Sequence, residues 1–283
     1  MKEILVTMAK GLWIGGTLTI PGLSGGAMAM LLGIYDRMVI SLNSLFRKGD
    51  GTEKKRNFLF LLWAAVGGLA GFVLFSRLVG MLLEAFPLHV SFLFAGAVAG
   101  GIPAVISAAK IKRVNVSDLL FVIIGIGVVF LVGLIPEGLF SPENANGLAG
   151  FGIQLAGGFV VAFGLVLPGI SMSQMLYVFG IYGVIIDCMS RLDFLPLIPF
   201  AIGGLAGTLA TSFGVEKLLF RYPRQTYLAI FGFLLGSIPQ MFENVSFGGH
   251  SVPSWLFFLL LFAVGGSVMT LLFLAESGRL KRK

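Results

Sequence analysis

Charge is the scarcest commodity in this sequence. Asp, Glu, Lys and Arg make up 12% of 283 residues, against roughly 25% in an ordinary soluble domain. A soluble chain of this size has no way to hide the apolar surface that remains, and the low charge also excludes intrinsic disorder. Cysteine is nearly absent. The single Cys188 permits no intrachain disulfide and reads as a small apolar residue. Only two histidines occur, His89 and His250. No cluster of His, Cys, Asp and Glu has ligand spacing, and no P-loop or dinucleotide fingerprint is present, so neither a metal nor a cofactor is expected. No cleavage site follows the first apolar stretch, which runs straight into a Pro-Gly turn, so no cleaved leader is expected. What is abundant is apolar: 57% hydrophobic residues and 40 glycines, with a mean hydropathy of +0.98. This is the composition of an all-α polytopic membrane protein whose helices pack closely through glycine. The net charge of +7 comes from Lys and Arg scattered between apolar runs. That pattern fits the positive-inside rule and excludes a nucleic-acid face.

Apolar runs long enough to span a bilayer lie at 58–83, 91–109, 119–135, 194–220, 227–242 and 254–275, the fifth being short for a full crossing. Two longer stretches, 4–46 and 148–190, are broken in the middle by Pro21-Gly22 and Pro168-Gly169, and a Pro-Gly pair favours a turn over a continued helix. The chain also repeats itself. IPGLSGGAMAMLLGIY at 20–35 and LPGISMSQMLYVFGIY at 167–182 share seven of sixteen positions. FLFLLWAAVGGLAG at 58–71 and FLPLIPFAIGGLAG at 194–207 share nine of fourteen. Pro87, Gly96 and Gly100-x-Ile102-Pro103 then align with Pro223, Gly232 and Gly236-x-Ile238-Pro239. The offset falls from 147 to 136 because the charged segment around 47–57 has no counterpart. The expected organisation is a first repeat over 1–136, an external linker at 137–147, and a second repeat over 148–283.

Basic residues set the expected orientation. Arg47, Lys48, Lys54, Lys55 and Arg56, then Lys110, Lys112 and Arg113, then Arg221 and Arg224, and the tail from Arg279 to Lys283 belong inside. Loops 84–90, 136–147 and 243–253 carry no Lys or Arg and belong outside. Both termini are then cytoplasmic. Each half becomes a hairpin that returns to its own side, followed by three crossings, so the second half is inverted relative to the first. Many secondary transporters follow this plan, with the binding site at the repeat interface. A plain ten-helix bundle with fully spanning hairpin arms has the same charge parity and stays open.

The duplicated Pro-Gly-x-Ser turn carries the most chemistry. Each turn (Pro21 and Gly22, Pro168 and Gly169) precedes a helical run, which puts Ser24 and Ser171 at helix N-termini. There unpaired N–H groups and a partial positive charge favour an anion. Gly25 and Gly26 let a ligand approach that backbone, and Thr17, Thr19, Ser173 and Gln174 are polar neighbours. The bland alternative is a Ser N-cap with no ligand. Arg77, late in an apolar run, is either a functional cation or a residue snorkelling to the outer boundary. Glu216 with Lys217 reads as an interfacial charge cluster near Arg221. Asp36, Arg37 and Asp187 read as hairpin feet, and Lys10 in the first arm is open. Arg37, Lys217 and Arg221 are also candidates to guide an anionic headgroup. Gly22-x-Ser24-x-Gly26 fits the hydrolase nucleophile elbow and resembles the rhomboid protease motif. However, both histidines fall in outer loops, out of reach as a base, and the second copy breaks the glycines. Trp13, Trp63 and Trp255 fit interface anchors. The glycine stripes at 67–71 and 203–207 pack helices either within one chain or between chains.

These residues carry a family resemblance. IPGLSGGAMAMLLGIYDRMV resembles the signature of a bacterial and archaeal membrane family, once a domain of unknown function and now associated with polyprenyl-phosphate transport (the PopT type). LPGISMSQMLYVFGIY resembles its second motif, with Met172 where glycine is more usual. FSRLVGMLLEAFPLHVSFLFAGAVAGGIP resembles its next segment, with Arg77 where the family usually has Lys. SFGVEKLLFRYPRQTYLAIFGFLLGSIP resembles the repeat of that segment, with Phe213 in place of a basic residue. The resemblance implies translocation, without catalysis, of undecaprenyl phosphate or a related polyprenyl phosphate across the cytoplasmic membrane for carrier-lipid recycling. It implies phosphate contacts from Ser24, Gly25, Gly26, Ser171, Ser173, Gln174 and Arg77. The expected partners are that lipid and the bilayer, with a coupling proton or sodium ion and a homo-oligomer left open. The same inverted plan also suits a small-anion or organic-acid transporter.

Overall fold

The computed structural model describes residues 2–280 apart from 19–23, 110–114, 137–147, 171–174, 177, 182, 186–187, 189–192, 194, 244 and 250. Its regular elements are α1 (Lys2–Thr17), α2 (Gly25–Leu31), α3 (Tyr35–Phe46), α4 (Gly51–Ala85), α5 (Pro87–Ala108), α6 (Val116–Gly133), α7 (Leu148–Val166), α8 (Ile198–Arg221), α9 (Pro223–Ser237) and α10 (Val252–Leu280), with short 3-10 turns at Leu195–Leu197 and Pro239–Phe242. Among the described residues five helices are long and apolar enough to cross a bilayer, or six if the bent pair α2–α3 counts as one span. Their outward faces are apolar: Val73 is 73% exposed, Leu69 68% and Phe130 65%. The chain is an all-helical, multi-pass membrane protein.

Helix ends differ from the apolar runs for a local reason. Apolar windows register only the membrane stretch, whereas a helix continues to its cap. Asp50 caps α4 through Thr52 N, so the segment 51–57, expected as part of a charged loop, is helical. Likewise α4 and α5 meet at Phe86, and the expected outer loop 84–90 is a single junction residue. His89 therefore lies in the first turn of α5, among the rings of Phe86, Phe257 and Phe258. Pro239 ends α9 short of 242 because it cannot continue the helical hydrogen bonds.

The first hairpin stretch, 4–46, resolves into three pieces. At 1.5 Å per residue, α1 is about 24 Å long and α2 about 10 Å, both less than a hydrocarbon core of roughly 30 Å. A bend of 117° separates α2 from α3. Gly33 makes this bend with φ 67, while Gly33 N donates to Met30 O and Ile34 N to Ala29 O, which is the Schellman closure of a helix end. Gly180 repeats it with φ 62, and Ile181 N donates to Leu176 O.

Packing is dominated by four helix pairs: α1 with α4, α7 with α8, α5 with α10, and α6 with α9. Glycine sets each approach. Gly67 and Gly71 lie against the Met8 and Leu12 carbonyls, and Gly203 and Gly207 against those of Leu155 and Phe159. Gly96 meets Phe262 O, and Gly232 meets Val122 O. Both glycine stripes thus pack within the chain. A Cβ on Gly71 would stand 2.0 Å from Leu12 O, so Gly71→Ala is expected to separate α1 from α4 and cost about 1–3 kcal/mol. Equilibrium unfolding in mixed micelles measures this; an unchanged midpoint contradicts it.

The core lies around α2. Ala27, Met28, Ala29, Met30 and Leu31 are each at most 4% exposed and pack with Val98, Val105, Val215, Ile230, Leu234 and Met269. Helices from both halves thus enclose the short arm that follows Ser24.

Candidate functional site: the meeting of Ser24 and the second Pro-Gly pair

Ser24 takes the N-cap position of α2 expected from the sequence: its Oγ accepts from Ala27 N at 3.1 Å. The same oxygen accepts a second hydrogen bond, from Gly169 N at 2.9 Å, across 145 residues of chain. Gly169, in the second Pro-Gly pair, has φ +80 and sits against Phe233 O of α9. Gly26 faces the same turn; a Cβ there would lie 3.0 Å from Val166 O and 3.2 Å from Pro168 N. Tyr35, just past the bend, donates its hydroxyl to Val166 O at 2.9 Å. The start of α2, from Ser24 to Gly26, is therefore in direct contact with the second Pro-Gly pair in the protein interior. Ser24 is 5% exposed, and its two acceptor positions are filled by backbone N–H groups, which leaves the hydroxyl proton to donate.

Of the other sequence-derived candidates, Gly25 is half-buried against Leu18 and Ile14. Pro21, Gly22, Ser171, Ser173 and Gln174 lie outside the described residues, as do Thr19, Asp187 and His250. Thr17 spends its hydroxyl on the Trp13 and Ile14 carbonyls. Arg77 is exposed on α4 and has no hydrogen bond or ion pair among the described residues. Lys217 and Arg221 are exposed at the end of α8, with Arg221 beside the Tyr222 ring at 5.6 Å. Arg37 pairs with Glu3 at 2.8 Å and lies 4.1 Å from the Phe60 ring.

Three polar contacts escape a linear reading. Asp36, expected as a plain interfacial foot, accepts from the hydroxyl of buried Tyr227 on α9. Lys10 donates to Leu32 O at the α2–α3 bend, 2.7 Å away. Glu216 does not form a surface cluster with Lys217. Adjacent helical residues point in different directions, and Glu216 turns inward, 3% exposed, toward Arg47 (2.8 Å) and Asn43 (2.5 Å) of α3. Asn43 in turn accepts from Ser212 at 2.6 Å. The sequence marked Asp36, Lys10 and Glu216 as charges, but none of their partners, which lie 22 to 191 positions away. Among the described residues no group of His, Cys, Asp and Glu is placed to hold a metal.

Fold and site together define a multi-pass α-helical membrane protein in which Ser24 of one Pro-Gly-x-Ser motif bonds Gly169 of the other in the core. Residues 14–247 match the model of the family described as VCA0040-like, undecaprenyl phosphate translocase-like, and the chain belongs to that family. It is 26% identical over 88% of its length to the polyprenyl-phosphate transporter of Vibrio cholerae serotype O1, covering 83% of that protein. It is 28% identical over 92% of its length to the polyprenyl-phosphate transporter of Staphylococcus aureus, covering 93% of that one. No solved structure matches the chain.

Proposed function

We propose that this protein carries undecaprenyl phosphate, or a related polyprenyl phosphate, across the cytoplasmic membrane by alternating access between two inverted repeats, with both termini cytoplasmic. The observation that carries the reading is the bond from Gly169 N to Ser24 Oγ, which links residues of the two Pro-Gly-x-Ser motifs inside the core. Recurrence of the glycine contacts and of the Gly33 and Gly180 bends in both halves supports the repeats. The shortness of α1 and α2 supports hairpins that re-enter rather than span.

The lipid tail stays in hydrocarbon, but its phosphate does not cross unaided. Transfer of an unpaired ion into a medium of low dielectric costs tens of kcal/mol. The protein supplies donors instead. Ala27 N and Gly169 N, which now converge on Ser24 Oγ, turn onto a phosphate oxygen when the turns part, and the Ser24 hydroxyl donates beside them. Gly25 and Gly26 leave the backbone open to that oxygen, and Ser171, Ser173 and Gln174 complete the cradle from the second turn. Arg77 lies about 30 Å along α4 from Phe58 at 1.5 Å per residue, a depth that suits headgroup capture at the outer boundary. Lys217 and Arg221 suit release at the inner one.

Translocation of labelled undecaprenyl phosphate in proteoliposomes tests this. The native chain is expected to flip the lipid, and Ser24→Ala/Ser171→Ala to slow it at least tenfold, about 1.4 kcal/mol of barrier. Full activity in the double variant overturns the site. No flipping by folded native protein overturns the substrate.

A further inference from the structure

The basic end of the molecule holds a second polar cleft. It has a volume of about 480 Å³ and is lined by Glu3, Arg37, Ile40, Ser41, Glu53, Arg56 and Asn57, from α1, α3 and α4. Three observations point to an anion as its occupant. The Ser41 hydroxyl is buried with no hydrogen-bond partner, although the residue is 1% exposed, so a donor stands idle in the cleft wall. The Arg56 guanidinium has no ion pair or hydrogen bond among the described residues, while the Arg37 guanidinium is held 4.1 Å from the centre of the Phe60 ring. Such a stack restrains the guanidinium while its N–H edges stay free for a planar or tetrahedral oxyanion. Finally, an anionic group already occupies one of those edges: Glu3 Oε1 lies 2.8 Å from Arg37 Nη1, with both side chains solvent-accessible at 74% and 41%. An ion pair that exposed contributes little to stability, about 0–1 kcal/mol, and is readily exchanged.

We infer that this cleft is a phosphate-monoester site in which Arg37 and Arg56 hold the headgroup, Ser41 donates to it, and Glu3 is the built-in competitor that fills the anion's place when the site is empty. The inference rests on the proposed transport of a polyprenyl phosphate and places the cleft at its cytoplasmic end, beside Arg47, Lys48, Lys54 and Lys55. Bidentate Arg contacts suit a terminal phosphate better than a phosphodiester, whose second ester oxygen removes one charged acceptor. Glu53 also lines the cleft, so two arginines face two carboxylates and a ligand gains its place by displacing Glu3 rather than by adding to a basic patch.

The test is binding of dodecyl phosphate to the full-length protein in neutral nanodiscs, by titration calorimetry. Inorganic phosphate and dioleoyl phosphatidylglycerol serve as competitors. Arg37→Gln/Arg56→Gln is expected to weaken dodecyl phosphate at least tenfold. Glu3→Gln is expected to tighten it three- to fivefold, a gain that structural damage does not produce. Competition by inorganic phosphate assigns recognition to the headgroup alone, and its absence assigns it to headgroup and chain together; both require the arginine dependence. Unchanged affinity in both variants overturns the site, as does equal competition by phosphatidylglycerol, which marks general anionic-lipid attraction. The transport reading fails separately. If the native chain flips no polyprenyl phosphate while dodecyl phosphate still depends on Arg37, Arg56 and Glu3, the cleft stands and transport falls. If flipping proceeds while binding ignores all three, the cleft falls alone.

Discussion

Arg47→Ala is expected to lower the unfolding free energy by about 3–5 kcal/mol, the cost of leaving a buried charge without its partner. The size of the loss follows from where the remaining charge sits. Arg47 is more than half exposed, but the Glu216 side chain it neutralises is 3% exposed. Without the guanidinium, that carboxylate keeps, among the described residues, the Asn43 amide at 2.5 Å. Asn43 and Ser212 are both fully buried, so neither can be replaced readily by water. The exposure of Arg47 itself draws the expected value toward the lower end of the range. Arg47→Ala/Glu216→Gln removes the charge and keeps the shape, and is expected to recover at least half of the loss. Equilibrium unfolding in mixed micelles completes the double-mutant cycle. If the two substitutions simply add, the network is not an ion pair in energetic terms. Because Asn43 lies in α3, Arg47 directly follows that helix, and Glu216 and Ser212 lie in α8, the same measurement reports how tightly the halves are held together at this end.

A second large effect is expected at Gly169. Its φ of +80 is strained for any residue with a side chain, and a Cβ would stand 2.4 Å from Phe233 O. Left-handed backbone costs roughly 1–2 kcal/mol, and overpacking adds about 1–3 kcal/mol. Gly169→Ala is therefore expected to cost roughly 2–5 kcal/mol and to pull Gly169 N off Ser24. Gly249 is the natural control. Its φ is +79, but no atom lies within 4 Å of an added Cβ, so Gly249→Ala isolates the backbone term at about 1–2 kcal/mol. Loss of lipid translocation in the first and its retention in the second is the expected pair of outcomes. Equal destabilisation by both would mean that the close approach to α9 contributes nothing.

The positions of these residues explain why some features were readable from the sequence and others were not. Ser24 as an N-cap was legible because capping is local: a hydroxyl, a short run of glycines and the start of a helical run lie within four residues. Gly33 recurs as Gly180 in the repeat, but that the chain takes a left-handed turn at both was not read from the sequence, where the turns were expected only at the Pro-Gly pairs. The burial of Glu216 was not legible. Its sequence neighbour Lys217 offers a plausible partner one residue away, while its actual partners, on α3 and just past its end, are 173 and 169 positions distant. Arg37 and Glu3, separated by 34 residues, likewise meet only because α3 bends back beside the start of α1.

Composition and periodicity by themselves determined that this chain is an all-helical membrane protein, because apolar runs of bilayer length admit no other way to satisfy the backbone. Repetition of Pro-Gly-x-Ser marked where the two halves carry related chemistry. The tertiary structure alone decided that Ser24 meets Gly169, and that the helices of the halves interleave as α5 with α10 and α6 with α9. It alone turned Glu216 inward. The reason is physical: capping, turn formation and hydropathy are set by neighbours along the chain. Which hydroxyl meets which distant N–H is set by how closely whole helices approach, and here that is governed by glycines such as Gly26, Gly96 and Gly232, whose contacts lie in other helices.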